Sequence, residues 1–285
     1  MKKLLCLVLL LLLLTGCIHN NSPQICATTL PVYEFTNALC KGTGITVSRL
    51  ITENVSCLHD YTVLVSQMQT VKSAETVIIS GAGLEEFLED VLTQANTLID
   101  ASSNLNLHEG HHHEHGEHHH EQDPHIWLSP KNAMQMCQTI CTELSQLYPQ
   151  HAQQFQENLP VLLKQLSDLQ TYGEASLKNL RCQELVTFHD GFFYLADSFH
   201  LHILKAIEEE SGSEASAKEL VEIIKLIESN QLPAIFTETN GSVSAAKIIA
   251  AETGVAVYTL DMAMAGDSYF EAMYHNIDTL KEALG

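Results

Sequence analysis

One stretch without any strand signal divides this chain into two parts. Residues 149–181 are rich in Gln, Leu, Glu and Lys, and leucines at 159, 162, 163, 166 and 169 form a helical stripe. Pro160 interrupts this stretch, and a proline inside a helix usually kinks it. The pattern predicts one long helix, or a kinked pair, that acts as a spacer between two halves. The alternative is an ordinary two-helix hairpin within one domain.

On both sides of this spacer, short apolar runs alternate with amphipathic segments. The predicted strands cover residues 25–30, 45–51, 76–80 and 97–100, and then 184–188, 203–207, 234–237 and 255–260. The predicted helices cover 32–40, 63–72, 84–94 and 130–147, and then 191–199, 217–229, 243–252 and 269–284. This order implies parallel strands covered by helices on both faces. We therefore expect an α/β protein of two αβ lobes, residues 25–148 and 182–285, bridged by a long helix over 149–181.

Two helix boundaries carry their own sequence signals. Ser129 and Pro130 stand where a helix is predicted to begin, and serine is a favoured N-cap while proline suits the first turn. Gly254 follows the helix predicted for 243–252, at the place where a C-cap glycine is expected.

The N-terminus predicts export. Lys2 and Lys3 precede an apolar run over residues 4–14, and small residues then lead to Cys17. This pattern is typical of a secretory signal, and the run is too short to span a bilayer permanently. The spacing resembles a bacterial lipobox, which would make 1–16 a signal peptide, Cys17 the lipidated first residue of the mature chain and 17–24 a tether. The alternatives are an uncleaved anchor or a chance cysteine.

Residues 108–120 contain eight of the sixteen histidines, interspersed with glutamates and glycines. With no apolar residue to anchor it, this segment predicts a solvated loop. Neutral imidazole is a common metal ligand, and such an array favours weak, exchangeable sites. The predicted weak ligands are His108, His111, His112, His113, His115, His118, His119 and His120. An inert solvated loop is the alternative; an expression tag is disfavoured because the tract is internal.

The charge and the cysteines narrow the function further. The chain has 14 basic and 35 acidic residues, and this net negative charge would repel nucleic acid and attract cations. No nucleic-acid partner is therefore expected.

Cys-x-x-Cys is absent from the sequence, which argues against a thiolate zinc knuckle. Cys137 and Cys141 have a helical i, i+4 spacing that is poorly suited to a disulfide. Several of the cysteines are expected to be small buried residues.

Four metal-binding side chains stand next to predicted strand ends or the histidine-rich loop. His59 follows the second strand, His125 follows the loop, and His189 and Asp261 follow strands of the second half. Because ligands collect beyond the carboxyl ends of parallel strands, a cleft between the lobes could gather all four. Three imidazoles and one carboxylate suit four-coordinate zinc. Glu238, at another strand end, is a reserve ligand or a residue that orients one.

Each of these residues also has a simpler interpretation. A single histidine at a strand end is more often a hydrogen-bonded structural residue than a metal ligand. Asp261 could be the N-cap of the helix that follows it. The whole set, together with the histidine-rich loop, is what favours a metal site.

The motifs resemble the zinc and manganese solute-binding lipoproteins of ABC-type metal importers, the cluster A-I family. The resemblance covers nearly the whole chain. Its motifs are the lipobox, Ala27-Thr28-Thr29, His59-Asp60-Tyr61, Gly83-Leu84-Glu85, the stretch from Asp123 to Pro130, Phe188-His189-Asp190, Glu214 to Lys218, Phe236-Thr237-Glu238, Leu260-Asp261 and the last helix. Two positions depart from the family pattern: Leu58 stands where a proline is usual, and Pro160 lies inside the presumed rigid helix.

The resemblance implies a receptor that captures metal between two lobes and delivers it to a membrane permease driven by an ATPase. It assigns the ligand roles to His59, His125, His189 and Asp261. Manganese-type members carry glutamate where this chain has His189, so zinc is expected as cargo, with manganese or iron as the milder alternative. It also implies an exported cell-envelope protein, held to the membrane by a lipid anchor at Cys17. We further expect a monomer and no enzymatic activity.

Two alternative functions belong to other classes. A three-histidine site can also serve a zinc hydrolase, although His-Glu-x-x-His is absent and Asp261 would fill the open position. A host-surface adhesin is the second alternative, and nothing in the sequence tests it.

Overall fold

The computed structural model describes residues 23–55, 58, 61–107, 123–208, 216–239 and 241–285. The predicted signal peptide, Cys17, His59 and the histidine-rich loop over 108–120 lie outside these residues. Within the described part of the chain, none of the helices is both long enough and apolar enough to span a bilayer.

The first half contains one parallel sheet with helices around it. Its strands are β1 (Ile25–Ala27), β2 (Val47–Arg49), β3 (Thr76–Ile79) and β4 (Leu98–Asp100), in the spatial order β2-β1-β3-β4. Its helices are α1 (Leu30–Leu39), α2 (Val65–Ser73), α3 (Glu89–Leu92) and α4 (Pro130–Leu147), with short 3₁₀ turns at Glu86–Leu88 and Ile126–Leu128. The strand β1 pairs with β2 and β3 and is completely buried, as expected of a central parallel strand.

The predicted spacer is a single long helix. A 3₁₀ turn at Pro149–His151 leads into α5 (Ala152–Leu177), which continues through Pro160. Pro160 has no backbone N–H, so the carbonyl oxygen of Gln156 lacks its usual helical hydrogen bond. Both residues are exposed, so water can donate a hydrogen bond to this oxygen instead. The long-helix prediction is confirmed, and the two-helix hairpin is wrong.

The second half repeats the architecture of the first. Its strands are β5 (Glu184–His189), β6 (His202–Glu208), β7 (Ala234–Glu238) and β8 (Ala256–Leu260), in the order β6-β5-β7-β8, all parallel. Its helices are α6 (Phe193–Ser198), α7 (Ala217–Asn230), α8 (Ser244–Thr253) and α9 (Tyr269–Leu284). The prediction of two parallel sheets flanked by helices is confirmed.

Several helix boundaries agree with their sequence signals. The helix α4 begins at Pro130, and the Ser129 hydroxyl accepts a hydrogen bond from the Asn132 backbone N–H at 3.4 Å. The helix α8 ends at Thr253 and is followed by its C-cap Gly254, which has φ = 75° in the left-handed region that glycine adopts easily. The helix predicted for 84–94 is wrong in its length, because this segment forms only the 3₁₀ turn and the four-residue α3.

The last helix ties the two halves together. The helix α9 packs against α5 and α1, and its buried residues belong to the same hydrophobic core as those of β1 and α4. The rings of Phe35 in α1 and Tyr269 in α9 meet edge to face, with their centroids 5.0 Å apart. A second, smaller core lies between the sheet of the second half and helices α7 and α8.

Polar contacts also join the first half to the segment before α9. Glu34 of α1 accepts hydrogen bonds from the Tyr269 backbone N–H at 2.6 Å and from the Ser268 hydroxyl at 3.2 Å. The Arg49 guanidinium donates to the Gly266 carbonyl oxygen at 2.7 Å. The Glu34 carboxylate of the first half therefore lies at the N-terminus of α9, a helix of the second half, where the helix dipole favours negative charge.

The described cysteines behave as small core residues. Cys26, Cys40, Cys137 and Cys141 are buried, Cys182 is half-buried, and all five are free thiols. Burial raises the pKa of Cys26 to about 11 and that of Cys40 to about 12, so neither is a reactive thiolate. The expectation that several cysteines are buried is confirmed.

Candidate metal centre

His125 is held in place by the residue two positions before it. It precedes the 3₁₀ turn at Ile126–Leu128 and is only 3% exposed. The Asp123 Oδ1 atom accepts a hydrogen bond from the His125 backbone N–H at 2.9 Å and lies 2.8 Å from the ring Nδ1. An aspartate that bonds the backbone two residues on forms an Asx turn, which fixes the direction in which the chain leaves the loop. The imidazole therefore has a defined orientation.

Trp127 connects the His125 segment to the second half. Its indole Nε1 donates to the Met262 carbonyl oxygen at 2.7 Å, and its own carbonyl oxygen accepts from the Tyr269 hydroxyl at 2.8 Å. Trp127 and Tyr269 are completely buried. Because a buried indole N–H and phenol each need a partner, these two bonds fix the His125 segment against the chain that follows β8.

His189 is the last residue of β5 and is 2% exposed. Its Nε2 atom lies 3.3 Å from the Nε2 atom of His125, and the two rings are perpendicular, with their centroids 5.1 Å apart. These histidines come from opposite halves of the chain. The structure thus brings together two of the four predicted ligands, with their nitrogen atoms facing one another.

Gly191 allows the chain to pass close to the His189 ring. A Cβ atom at position 191 would lie 2.6 Å from His189 Cδ2 and 2.7 Å from Met262 Cε. Both distances are well below the ordinary carbon–carbon contact. The absence of a side chain at this position lets the ring and the Met262 methyl group pack directly on the backbone.

Asp261 lies directly after β8, as the sequence predicts. Its backbone N–H donates to Asn276 Oδ1 at 2.7 Å, and Asn276 Nδ2 donates back to the Asp261 carbonyl oxygen at 2.7 Å. Its Oδ1 atom accepts from the Ala263 backbone N–H at 2.7 Å. The N-cap of α9 is Ser268, so the alternative interpretation of Asp261 as that cap is wrong.

Glu238 ends β7 and is 4% exposed, so it is a buried carboxylate at the expected edge of the second sheet. Among the described residues, however, no three His, Cys, Asp or Glu side chains form a group that could hold a metal ion. Asp261 and Glu238 are therefore not grouped with the histidine pair in this geometry. His59 lies outside the described residues, so its place relative to the pair stays a prediction.

The sequence reasoning missed one residue of this centre, Asp123. It had a usable signal, because Asp-Pro-His places a carboxylate two residues before a histidine in a turn-forming context. The role of Trp127 as an anchor had no local signal, since its partner Met262 is remote in sequence.

A second buried carboxylate, Glu85, lies at the carboxyl edge of the first sheet. Its Oε1 atom accepts from the Thr28 hydroxyl at 2.6 Å and from the Ser80 backbone N–H at 2.7 Å, and its Oε2 accepts from the Gly81 N–H at 3.0 Å. Burial raises the pKa of Glu85 to about 7, and the negative charge of Asp100 adds to this effect. The side chain joins the ends of β1 and β3 to the turn before α3.

Residues 25–283 match the family described as "ZnuA: Zinc-uptake complex component A periplasmic". The chain belongs to the ZnuA family. This confirms the resemblance drawn from the sequence motifs. The family consists of metal-binding solute-binding proteins rather than enzymes, so the zinc-hydrolase alternative is set aside.

Individual relatives of this chain are named as zinc-binding proteins, in agreement with the family description. The zinc-binding lipoprotein AdcA of Streptococcus pneumoniae (strain R6) is 28% identical over 314 aligned positions, which cover 99% of this chain and 61% of that protein. The chain spans only about half the length of other AdcA relatives that it matches, 55% in the example from Streptococcus pyogenes serotype M3.

Two solved structures share the fold of this ZnuA-family chain. The Zn(II)-bound ZnuA-like domain of Streptococcus pneumoniae AdcA is 27% identical and has a TM-score of 0.77, with 91% of this chain and 98% of that domain covered. A crystal structure of ZnuA is 28% identical and has a TM-score of 0.80, with 92% and 100% covered. The match to the isolated domain shows that the chain corresponds to the ZnuA-like part of AdcA.

Proposed function

We propose that this chain is an extracytoplasmic receptor that captures zinc between its two halves and delivers it to an ABC-type importer. The observation that carries this proposal is the pair of buried imidazoles, one from each half, whose Nε2 atoms are 3.3 Å apart. Two ring nitrogens that face each other across a junction form half of a four-coordinate zinc site. The names of the AdcA and ZnuA relatives, which describe zinc binding and zinc uptake, support the same cargo.

The proposed ligands are His59, His125, His189 and Asp261, with Glu238 as a reserve ligand or a residue that orients one. In the described geometry Asp261 does not form a group with the histidine pair, and its Oδ1 atom accepts from the Ala263 backbone N–H. A set with three imidazoles favours zinc over manganese, which prefers oxygen ligands. The cargo is therefore zinc, and manganese or iron is the alternative.

The charge of the chain supports cation capture. With 35 acidic against 14 basic residues, its field attracts divalent cations and raises the rate of their encounter with the site. The eight histidines of the loop would raise the local zinc concentration or sense excess zinc, which is a hypothesis resting on composition alone.

Residues 1–16 are the proposed signal peptide and Cys17 the lipidated residue, with 17–24 as a tether. Residues 25–148, 149–181 and 182–285 are the proposed first lobe, linking helix and second lobe. The proposed receptor is a monomer of the cell envelope, in the periplasm or on the outer face of the cytoplasmic membrane. Its partners are the permease and the ATPase of a metal importer. The lipoprotein name of the pneumococcal relative supports the anchor.

The test is metal content and competition binding on the tag-free chain that starts after Cys17, which keeps every residue of the described fold. We expect one tightly held zinc per chain, which is lost in His189→Ala while the weaker loop sites persist. His202→Ala is the matched control, because His202 is an exposed histidine at the start of β6 and should leave the tight site intact. Tight manganese in preference to zinc, or tight zinc that is indifferent to His189→Ala, would overturn the cargo or the site.

A further inference from the structure

We propose that Asp123 is a positioning residue for zinc capture, because its carboxylate fixes His125 in the tautomer whose bare Nε2 atom faces His189. This inference rests on the proposed function, since it takes His125 to be a zinc ligand. It concerns a residue that does not itself need to touch the metal.

The geometry of one oxygen atom carries the proposal. Asp123 Oδ1 lies 2.9 Å from the His125 backbone nitrogen and 2.8 Å from the ring Nδ1. The side chains of Asp123 and His125 are only 11% and 4% exposed, so water does not compete strongly for these bonds. An ionised carboxylate can only accept hydrogen bonds, so the Nδ1 atom must carry the hydrogen. In a neutral imidazole this leaves Nε2 with its lone pair free to accept.

The contact between the two histidines agrees with this assignment. The Nε2 atoms of His125 and His189 are 3.3 Å apart, a distance at which one nitrogen donates and the other accepts. Because His125 Nε2 carries no hydrogen, His189 Nε2 is the donor. Asp123 therefore decides the direction of the hydrogen bond between the two halves, and the lone pair of His125 is already directed toward the junction.

The surrounding structure holds the carboxylate and the ring in this relation. Pro124, between them, restricts the backbone, and Trp127 is anchored through the Met262 carbonyl oxygen at 2.7 Å. A histidine that binds a metal through one nitrogen commonly donates from the other to a carboxylate, and loss of that carboxylate typically costs about 10- to 100-fold in metal affinity. The same magnitude is expected here.

The rival interpretation gives Asp123 a structural role only, through the bond that closes the turn at the His125 backbone. Asp123→Asn separates the two. Asparagine keeps the turn, because its carbonyl oxygen also accepts from a backbone N–H two residues on. Its amide group can also donate to Nδ1, so it no longer selects one tautomer. A structural role predicts wild-type behaviour for this variant, whereas a positioning role predicts a mixture of tautomers.

The experiment is nitrogen-15 NMR of the histidine rings in the chelator-treated chain that starts after Cys17, with the His125 signals assigned by their loss in His125→Gln. In the wild type we expect Nδ1 of His125 to be pyrrole-type and Nε2 to be pyridine-type. In Asp123→Ala and Asp123→Asn we expect the Nε2–H form to become populated. Zinc competition should show a loss of about 10- to 100-fold for Asp123→Ala and a smaller loss for Asp123→Asn.

Asp100→Ala is the matched control. Asp100 Oδ1 accepts from the Ser102 backbone N–H at 2.8 Å and from the Ser102 hydroxyl at 2.7 Å, so this aspartate closes a turn of the same spacing without touching an imidazole. It should change neither the His125 tautomer nor the zinc affinity.

The outcomes separate this inference from the proposed function. An unchanged tautomer in Asp123→Ala and Asp123→Asn, or wild-type zinc affinity in both, overturns the role of Asp123. A wild-type chain without a tight zinc site, but with a tautomer that depends on Asp123, overturns the proposed function and leaves the positioning of the ring intact. Circular dichroism of each variant checks that the fold is retained.

Discussion

The buried carboxyl group of Glu85 makes the stability of this protein depend on pH in a direction that the structure defines. Burial raises its pKa from 4.5 to about 7. A carboxyl group with a raised pKa in the folded state binds its proton more tightly there than in the unfolded chain. Its contribution to stability is therefore fully present below pH 4.5, declines as the pH rises, and is lost above about 7.

The size of this contribution follows from the two pKa values. The difference between 4.5 and about 7 corresponds to about 3 kcal/mol of unfolding free energy. Glu85→Gln removes the titrating group but keeps a carbonyl oxygen that can accept from the Thr28 hydroxyl and the Ser80 N–H. We expect the wild type to lose about 3 kcal/mol more than Glu85→Gln between pH 4.5 and 7.

The assay is urea unfolding of the metal-free chain, followed by circular dichroism across this pH range. Comparing the two proteins at each pH cancels the contributions of the histidines, which both share. Glu89→Gln is the control, because Glu89 is exposed in the neighbouring α3 and should leave the wild-type slope unchanged. Parallel slopes for wild type and Glu85→Gln, or a wild type that gains stability relative to the variant as pH rises, would refute this reasoning.

Three further predictions test the junction, the long helix and the loop. Glu34→Ala should lower the unfolding free energy by about 2 kcal/mol in urea titrations, because the buried Tyr269 N–H loses its acceptor, and Glu34→Gln should cost less; equal losses would contradict this. Gly173→Ala should lower the unfolding free energy by about 1 kcal/mol in the same assay. The new Cβ atom would lie 2.2 Å from Phe199 Cε1, and this overpacking costs about 1–3 kcal/mol, more than the helix-propensity gain of about 1 kcal/mol. A stabilised variant would show that Phe199 moves freely. Deletion of residues 108–120 should remove weak zinc sites and keep one tight site in competition titrations, and loss of the tight site would mean that it is misplaced.

Much of the fold could be predicted because its signals are local. Alternation of apolar runs with amphipathic segments depends on neighbouring residues, and it predicted both parallel sheets and the bounds of α9 at Tyr269 and Leu284. The Ser129 and Gly254 caps are equally local. The helix predicted for 84–94 is wrong in its length, because this segment forms only a 3₁₀ turn and the four-residue α3.

The candidate site was predictable only in part. The placement of His125, His189 and Asp261 beside turns and strand ends follows from the sequence pattern. Their mutual distances do not, because they depend on how two separate sheets are oriented. The structure brings His125 and His189 to 3.3 Å but places Asp261 outside a common group, where it bonds the Ala263 N–H.

The sequence by itself determined the two αβ halves, the long helix between them, the sheet edges at which the predicted ligands stand, and a resemblance that implied the family. Only the tertiary structure decided that Pro160 leaves α5 continuous, that α9 completes the core of the first half through Tyr269, and that His125 and His189 lie 3.3 Å apart. The physical reason is the range of the interactions. Periodicity and capping act between residues a few positions apart, whereas core packing and the contact between His125 and His189 join segments far apart in the chain, whose approach no local pattern encodes.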